Sequence, residues 1–153
     1  MTHRTHEPIR VFLAGIIQGS KVETTIHDQD WREPLKRICA EHLPAADVYC
    51  HYTQHPNSIQ YDLPMIRATL EEGNRKAAES DLLIAYLPSA SMGTAIELYE
   101  AARRGAATVT VTPMYANWIV RAYSDQICED LDAFETFAGG GDLSRLLERK
   151  RRG

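Results

Sequence analysis

The chain has 153 residues, of which 44% are hydrophobic, and a formal net charge of −4 at neutral pH. A chain of this length can form one domain with a genuine core, and its mild negative charge gives no general attraction to polymeric nucleic acid or to an anionic membrane surface. The longest apolar runs are far too short to cross a bilayer, so we expect no membrane partner.

The N-terminal residues and the cysteines predict a cytoplasmic protein. Residues 1–6 are polar and lack the apolar stretch of a signal peptide. The chain has three cysteines, an odd number, which are widely spaced and form no C-x-x-C pair: Cys39, Cys50 and Cys128. This pattern is typical of reduced thiols.

Strands and helices alternate in the first half of the chain. Arg10–Gly15 is predicted to be a buried strand, and the loop Gln18-Gly19-Ser20 follows it. A helix over residues 28–42 leads to a second strand at 48–52. After a polar loop, residues 64–80 have the spacing of a second helix.

The same alternation continues in the second half. Residues 81–87 predict a third strand, and 107–112 predict a fourth strand that is rich in β-branched residues. The remaining predicted helices cover residues 94–104, 117–131 and 143–149. Residues 133–137 are a candidate fifth strand.

Strands that are apolar on both faces and alternate with helices indicate a parallel sheet covered on both sides. The sequence therefore predicts an α/β protein with a Rossmann-like, doubly wound parallel sheet of four to five strands and helices on both faces. We expect a single domain over residues 1–153, with a polar N-terminal tail at about 1–8 and a solvated basic tail at about 149–153.

Residues 91–97 are the strongest candidate for a functional site. They follow the third predicted strand and open a helix, at the edge where open parallel sheets bind ligands. The free N–H groups of the turn and the helix dipole suit a phosphate or another anion. The expected contacts to that anion are Ser91, Met92, Gly93 and Thr94. Glu97, one turn further along the helix, is placed to act on a sugar attached to the phosphate.

A capping box would explain Glu97 without any chemistry. Thr94 and Glu97 match the S/T-x-x-E signature, in which the glutamate turns back to the backbone N–H of the threonine. A catalytic glutamate would instead point over the strand ends into a cleft. The two alternatives therefore differ in where the carboxylate lies.

The ends of the first two strands add further candidates. The small-residue loop after the first strand should lie beside the loop after the third strand and form the crevice at the switch point of the sheet. The expected ligand contacts from these segments are Gly15, Gln18, Gly19, Ser20 and His51. No His or Cys spacing suggests a metal site, so we expect neither a metal nor a cofactor. Cys50 is expected to be a core residue, since no basic residue lies beside it in sequence.

Three sequence elements resemble the nucleoside 2-deoxyribosyltransferase superfamily, which includes nucleotide N-glycosidases. They are a first strand that ends in Phe12-Leu13-Ala14-Gly15, a strand that begins at Ser80-Asp81, and an S-x-G-x-x-x-E turn with Glu97 in the last place. The resemblance covers about residues 11–112. It implies an enzyme that cleaves the N-glycosidic bond of a nucleoside or its 5′-monophosphate, as a hydrolase or as a base-exchanging transferase.

The resemblance also implies roles for individual residues. The glutamate that matches Glu97 is the nucleophile, which attacks the anomeric carbon and forms a covalent glycosyl-enzyme. The residues that match Ser91 and Gly93 hold the 5′-phosphate, and the histidine that matches His51 lies near the base. Because a neighbouring subunit usually completes such sites, we expect a homodimer or a larger homo-oligomer, with Asn117 or Arg121 reaching across to the ligand.

The sequence departs from the superfamily pattern at two positions. Gly73 stands where an aspartate usually handles proton transfer, and Gln18 stands where many members have an arginine. Either Glu72 supplies the missing acid, or the leaving base is protonated in another way, or the chemistry is impaired. The last case defines the alternative function, a non-catalytic nucleotide-binding or regulatory module. Phosphoribohydrolases of the cytokinin-activating kind are less similar, because they carry a Gly-Gly-x-Gly-Thr run.

Overall fold

The structure is a computed structural model that describes residues 7–152. Five parallel strands form one sheet, in which the second strand of the chain lies at one edge and the first, third, fourth and fifth follow in that order. This order confirms the predicted doubly wound α/β fold, and its switch point lies between the first and third strands. The polar residues 1–6, which were assigned to an N-terminal tail, lie outside the described residues.

The elements are bounded as follows. The strands are β1 (Arg10–Gly15), β2 (Asp47–Cys50), β3 (Leu82–Tyr86), β4 (Ala107–Val111) and β5 (Gln126–Cys128). The α-helices are α1 (Arg32–His42), α2 (His51–Gln54), α3 (Leu63–Glu79), α4 (Met92–Arg103), α5 (Trp118–Tyr123), α6 (Leu131–Gly139) and α7 (Asp142–Arg152). A short 3₁₀ helix, Ser58–Gln60, lies between α2 and α3.

The sheet divides the core into two layers, because successive strand side chains point to opposite faces. Val11 and Leu13 of β1 pack into the layer formed with α1, α6 and α7. Phe12 and Ala14 pack into the second layer, against residues of α3 and α4. Burial on both faces is what fixes the register of the strands.

The region after β4 differs from the sequence prediction. Residues 117–131 are not one helix: α5 ends at Tyr123, and the chain then pairs with β4 as β5. The Asp125 carboxylate accepts a hydrogen bond from the backbone N–H of Thr108 at 2.9 Å, and this long-range contact overrides the local helical pattern.

The candidate fifth strand at residues 133–137 was also a wrong prediction. These residues belong to α6, which begins where the Asp130 side chain accepts a hydrogen bond from Ala133 N–H at 2.8 Å. Phe134 and Ala138 are buried four positions apart, which is the spacing of a helix face.

The basic C-terminal segment is part of a helix and not a tail. Helix α7 extends through Arg152, while Leu143, Leu146 and Leu147 bury its apolar face. The Lys150 ammonium pairs with the Asp125 carboxylate at 2.9 Å, so this end of the helix is tied to the start of β5. Within residues 7–152, no helix is both long enough and apolar enough to cross a membrane.

Candidate active site

Helix α4 begins with a serine cap at the carboxyl edge of the sheet. Ser91 is the residue before its first turn, and its Oγ accepts a hydrogen bond from Thr94 N–H at 3.4 Å and lies 2.9 Å from Thr94 Oγ1. Because the Thr94 N–H is directed to Ser91, Glu97 does not cap this helix. The capping-box alternative is therefore wrong.

The Glu97 carboxylate is buried without a partner. Its Oε2 has no contact with solvent and no hydrogen bond among the described residues, although the residue as a whole is only partly buried. Burial raises the pKa of Glu97 to about 8, and the positive charge of Arg32 acts in the opposite direction. The free protein at pH 7 therefore holds Glu97 mainly as the neutral acid.

The first turn of α4 is open to a ligand. A Cβ added to Gly93 would meet no described atom within 4 Å outside its own turn, and Met92 is 82% exposed. The N–H groups at the start of a helix lack partners within the helix, and they carry the positive end of its dipole. The start of α4 therefore combines open space with donors suited to an anion, about one turn from Glu97.

Trp31 covers the end of β1. Its indole ring lies so close to Gly15 that any side chain there would collide with it. The same ring stacks on Tyr86, at the end of β3, with centroids 4.8 Å apart and an angle of 22°. Trp31 Nε1 is buried and has no hydrogen-bond partner among the described residues. The Trp31 ring can therefore lie in the crevice only because residue 15 is a glycine.

The loop after β1 forms a turn beside this crevice. Gln18 and Ser20 are exposed, and the Gln18 carbonyl accepts a hydrogen bond from Lys21 N–H at 3.2 Å. Gly19 has a φ of 58°, and a Cβ on it would lie 2.8 Å from His27 Nε2. That nitrogen is another buried polar atom without a partner in the described part of the chain.

Arg32 places a buried positive charge at the same edge. Its guanidinium stacks on the Trp31 ring at 4.1 Å, its Nε donates to Gln29 Oε1 at 2.8 Å, and its Nη1 donates to Cys50 Sγ at 3.1 Å. Only 4% of Arg32 is exposed. Burial alone would raise the pKa of Cys50, but hydrogen bonds with Thr53 and the charge of Arg32 bring it below its ordinary value. Cys50 therefore has a basic partner that its sequence neighbours do not reveal.

His51 begins α2, directly after β2. Its Nδ1 lies 3.1 Å from the hydroxyl of Tyr49, and its ring centroid lies 4.9 Å from that of His55. His55 in turn bonds to Glu72, with Nε2 and Oε2 3.2 Å apart. Burial lowers the pKa of His51, and the charges of His55 and Arg32 lower it further. The charge of Arg32 also acts on Glu97, where it opposes the rise in pKa that burial causes. The histidine and the glutamate thus lie in the field of one arginine.

Three solved structures share this architecture. A 2-deoxyribosyltransferase from the psychrotolerant bacterium Bacillus psychrosaccharolyticus matches with a TM-score of 0.64 at 12% identity, over 90% of this chain and 95% of that one. A conserved protein from Enterococcus faecalis V583 matches with a TM-score of 0.57 at 15% identity, over 94% of this chain and 99% of that one. A CMP N-glycosidase from Clostridium botulinum matches with a TM-score of 0.50 at 17% identity, over 88% of this chain and 98% of that one. No family model and no curated protein matches the sequence. The chain has the 2-deoxyribosyltransferase fold.

The predicted resemblance is thus confirmed at the level of the fold. Within this 2-deoxyribosyltransferase fold, Ser91, Gly93, Glu97 and His51 all lie at the carboxyl edge of the sheet, as predicted. Glu72 reaches the same edge only through its bond to His55. The start of α4 and His51 therefore lie where the sequence predicted them, and their roles stay predictions.

Asn117 is placed differently from the prediction. Its Oδ1 caps α5 by accepting hydrogen bonds from Ile119 N–H at 3.0 Å and from Val120 N–H at 3.2 Å. A side chain held in this way stabilises its own helix, and its part in a ligand site stays a prediction.

Two residues at this edge of the sheet could not be predicted from the sequence. Trp31 and Arg32 stand in the first turn of an amphipathic helix, where no local signal marks them, and only the contacts with Gly15 and Cys50 reveal their place. The described cleft at this edge, of about 300 Å³, is lined by Tyr86 and neighbouring loops and does not include Glu97. No cluster of His, Cys, Asp or Glu that could hold a metal occurs between residues 7 and 152.

Proposed function

We propose that this protein cleaves the N-glycosidic bond of a nucleoside 5′-monophosphate, with Glu97 as the nucleophile. The observation that carries the proposal is the buried, unpartnered Oε2 of Glu97, about one turn along α4 from its open start. An isolated buried carboxylate is costly, so its retention without a partner is better explained by a ligand than by stability.

The two parts of the site fit two parts of one substrate. The free N–H groups at the start of α4 and the hydroxyl of Ser91 would bind the 5′-phosphate. One turn on, Glu97 would attack the anomeric carbon as the base departs, and water would then release the sugar from the glutamate. A carboxylate is suited to this role because the transition state carries positive charge on the sugar ring.

The protonation state of Glu97 sets a condition on this mechanism. The free protein holds the carboxyl mainly protonated at pH 7, whereas attack requires the carboxylate. The charge of Arg32 favours the carboxylate, and so would the positive charge that develops on the sugar. The carboxylate form of Glu97 is therefore favoured most strongly in the transition state.

The fold comparisons support an enzyme of this class. Two of the proteins that share the fold are a 2-deoxyribosyltransferase and a CMP N-glycosidase, which both act at the bond between sugar and base. We favour hydrolysis over base exchange, because the serine-capped, open start of α4 suits a phosphorylated substrate. Three buried free cysteines fit our inference of a reducing, cytoplasmic location.

A base-release screen tests the proposal. The protein is incubated with the common nucleosides and with their 5′-monophosphates in the ribo and deoxy series, and free base is measured by chromatography. We expect release from a monophosphate and a loss of at least about 10³-fold in Glu97→Gln. Glu100→Gln is the matched control, because Glu100 lies on the same helix and pairs with Arg103 at 2.9 Å. Equal activity of wild type and Glu97→Gln would refute the proposal.

A nucleotide-binding module without turnover is the second candidate. The glycine at position 73 favours it, since that position carries no acid that could protonate a leaving base. A ligand at 100 times its dissociation constant would stabilise the fold by about 2.7 kcal/mol. Stabilisation by a monophosphate without release of base would favour this candidate over the enzyme.

We also propose that the chain forms a homodimer through α4 and α5. Met92 and Trp118 are 82% and 83% exposed, and Ile96, Tyr99 and Ile119 are exposed beside them. Large apolar side chains grouped on two neighbouring helices are typical of an interface. Light scattering after size exclusion should give twice the mass of 17.2 kDa, and a monomer at high concentration would contradict the proposal.

A further inference from the structure

The ring of His51 fills the place that a side chain at position 73 would take. A Cβ built on Gly73 would lie 3.2 Å from Cε1 and 3.3 Å from Nδ1 of His51. These distances are tighter than most Cβ contacts, so even an alanine would press against the imidazole. The His51 ring can therefore pack against α3 in this position because residue 73 is a glycine.

A hydrogen-bond network holds this imidazole in place. Nδ1 of His51 is bonded to the Tyr49 hydroxyl, and the neighbouring His55 uses both of its ring nitrogens, on Tyr61 and on Glu72. Nε2 of His51 makes no hydrogen bond within residues 7–152. Of the four ring nitrogens in this pair of histidines, Nε2 of His51 is thus the one left available for a ligand.

We propose that His51 is the general acid that protonates the leaving base through Nε2, in place of a carboxylate on α3. This inference rests on the proposed function and adds the group that handles the proton. Glu72 is then a positioning residue, because its carboxylate bonds to Nε2 of His55, and the His55 ring lies against that of His51.

The proton balance of the reaction is complete with these groups. As Glu97 bonds to the anomeric carbon, the C–N bond breaks, its electron pair stays on the base, and the base takes the proton from the imidazolium Nε2. Water then attacks the anomeric carbon and gives its proton to the neutral His51. The bond to Glu97 breaks, and its electrons restore the carboxylate. No metal or redox partner enters either step.

The charged groups around His51 define its pH dependence. Tyr49 on β2, His55 on α2, Glu72 on α3 and Arg32 on α1 face it; burial, His55 and Arg32 lower its pKa, and Glu72 raises it. Activity needs a protonated His51 together with an ionised Glu97. We expect a bell-shaped profile for kcat/KM, and in His51→Asn the alkaline fall should disappear, since the proton that is lost there belongs to His51.

Two substrates that differ only in their leaving group provide the main test. We compare a natural nucleoside 5′-monophosphate with the 4-nitrophenyl glycoside of the same sugar 5-phosphate, whose leaving group needs no proton. His51→Asn should lower release from the natural substrate by about 10²–10⁴-fold and release from the aryl glycoside by less than about 10-fold. Retained aryl cleavage also shows that the variant is folded. The matched control is His42→Asn, a change at the far end of α1.

A relocated acid provides the second test. His51→Ala opens the space beside Gly73, so the double variant His51→Ala/Gly73→Asp should regain at least about 10-fold of the lost base release, while His51→Ala/Gly73→Ala should not. Equal loss on both substrates, or unchanged base release in His51→Asn, would overturn the inference and leave the nucleophile untouched. A wild-type protein that cleaves neither substrate would overturn both proposals.

Discussion

Replacing Glu97 with glutamine should change the pH dependence of stability in a direction that only a buried carboxyl group produces. In the folded protein the pKa of Glu97 is about 8, against an ordinary value of 4.5. Each pKa unit corresponds to about 1.4 kcal/mol, so ionising this group costs the folded state about 5 kcal/mol more than it costs the unfolded chain. The wild type therefore carries a penalty at alkaline pH that the glutamine variant lacks.

The sign follows from linkage. Because folding raises the pKa of Glu97, its contribution is fully present below pH 4.5 and is lost as the pH rises through about 8. The free energy of unfolding of Glu97→Gln minus that of the wild type should therefore grow by about 1.4 kcal/mol per pH unit between about pH 5 and pH 8, and level off above.

Urea unfolding followed by circular dichroism at pH 5, 6, 7, 8 and 9 measures this difference. The other titrating groups contribute equally to both proteins and cancel. Glu100→Gln is the control, because it makes the same substitution on the same helix at a carboxylate that pairs with Arg103. A difference that stays constant within about 0.5 kcal/mol over this pH range would refute the burial of an unpaired carboxyl group.

Three further substitutions test the surroundings of the site. Gly15→Ala should lower the stability by about 1–3 kcal/mol, because the new methyl group collides with the Trp31 ring; an unchanged Tm would contradict this. Arg32→Met removes the charge that opposes the raised pKa of Glu97. In the Arg32→Met background, the stability difference between Glu97→Gln and Glu97 should therefore level off above pH 8, and levelling at an unchanged pH would exclude an effect of Arg32 on Glu97. Asn117→Ala should cost about 1 kcal/mol through loss of the α5 cap, measured by urea unfolding, and an unchanged midpoint would show that the cap contributes nothing.

The sequence was sufficient for the sheet but not for its last strand. The run over residues 11–15 is apolar and buried at every position, and burial on both faces leaves few arrangements for such a strand. The edge strand Gln126–Cys128 has three residues and no apolar run, so only its pairing with β4 reveals it. The prediction of a strand at residues 133–137 was wrong, because Phe134 and Phe137 lie three positions apart, which places them on one face of a helix but on opposite faces of a strand.

The site was predictable where it depends on local order along the chain. Ser91 and Glu97 lie on one helix after a buried strand, and the turn chemistry alone placed them. The contacts of His51 with Gly73 and of Arg32 with Cys50 join segments 22 and 18 residues apart, and neither pair leaves a periodic signal in the sequence. Long-range packing therefore decided which groups share the crevice.

Mass spectrometry of a trapped intermediate tests the role of Glu97 most directly. A 2-fluoro sugar analogue of a nucleotide that the protein cleaves slows the release of the sugar from the enzyme, so the glycosylated residue accumulates. Peptide mapping should find one sugar phosphate on the peptide with Glu97, and none in Glu97→Gln. Release of the base with the sugar on another residue, or with no covalent adduct while turnover stalls, would contradict the account.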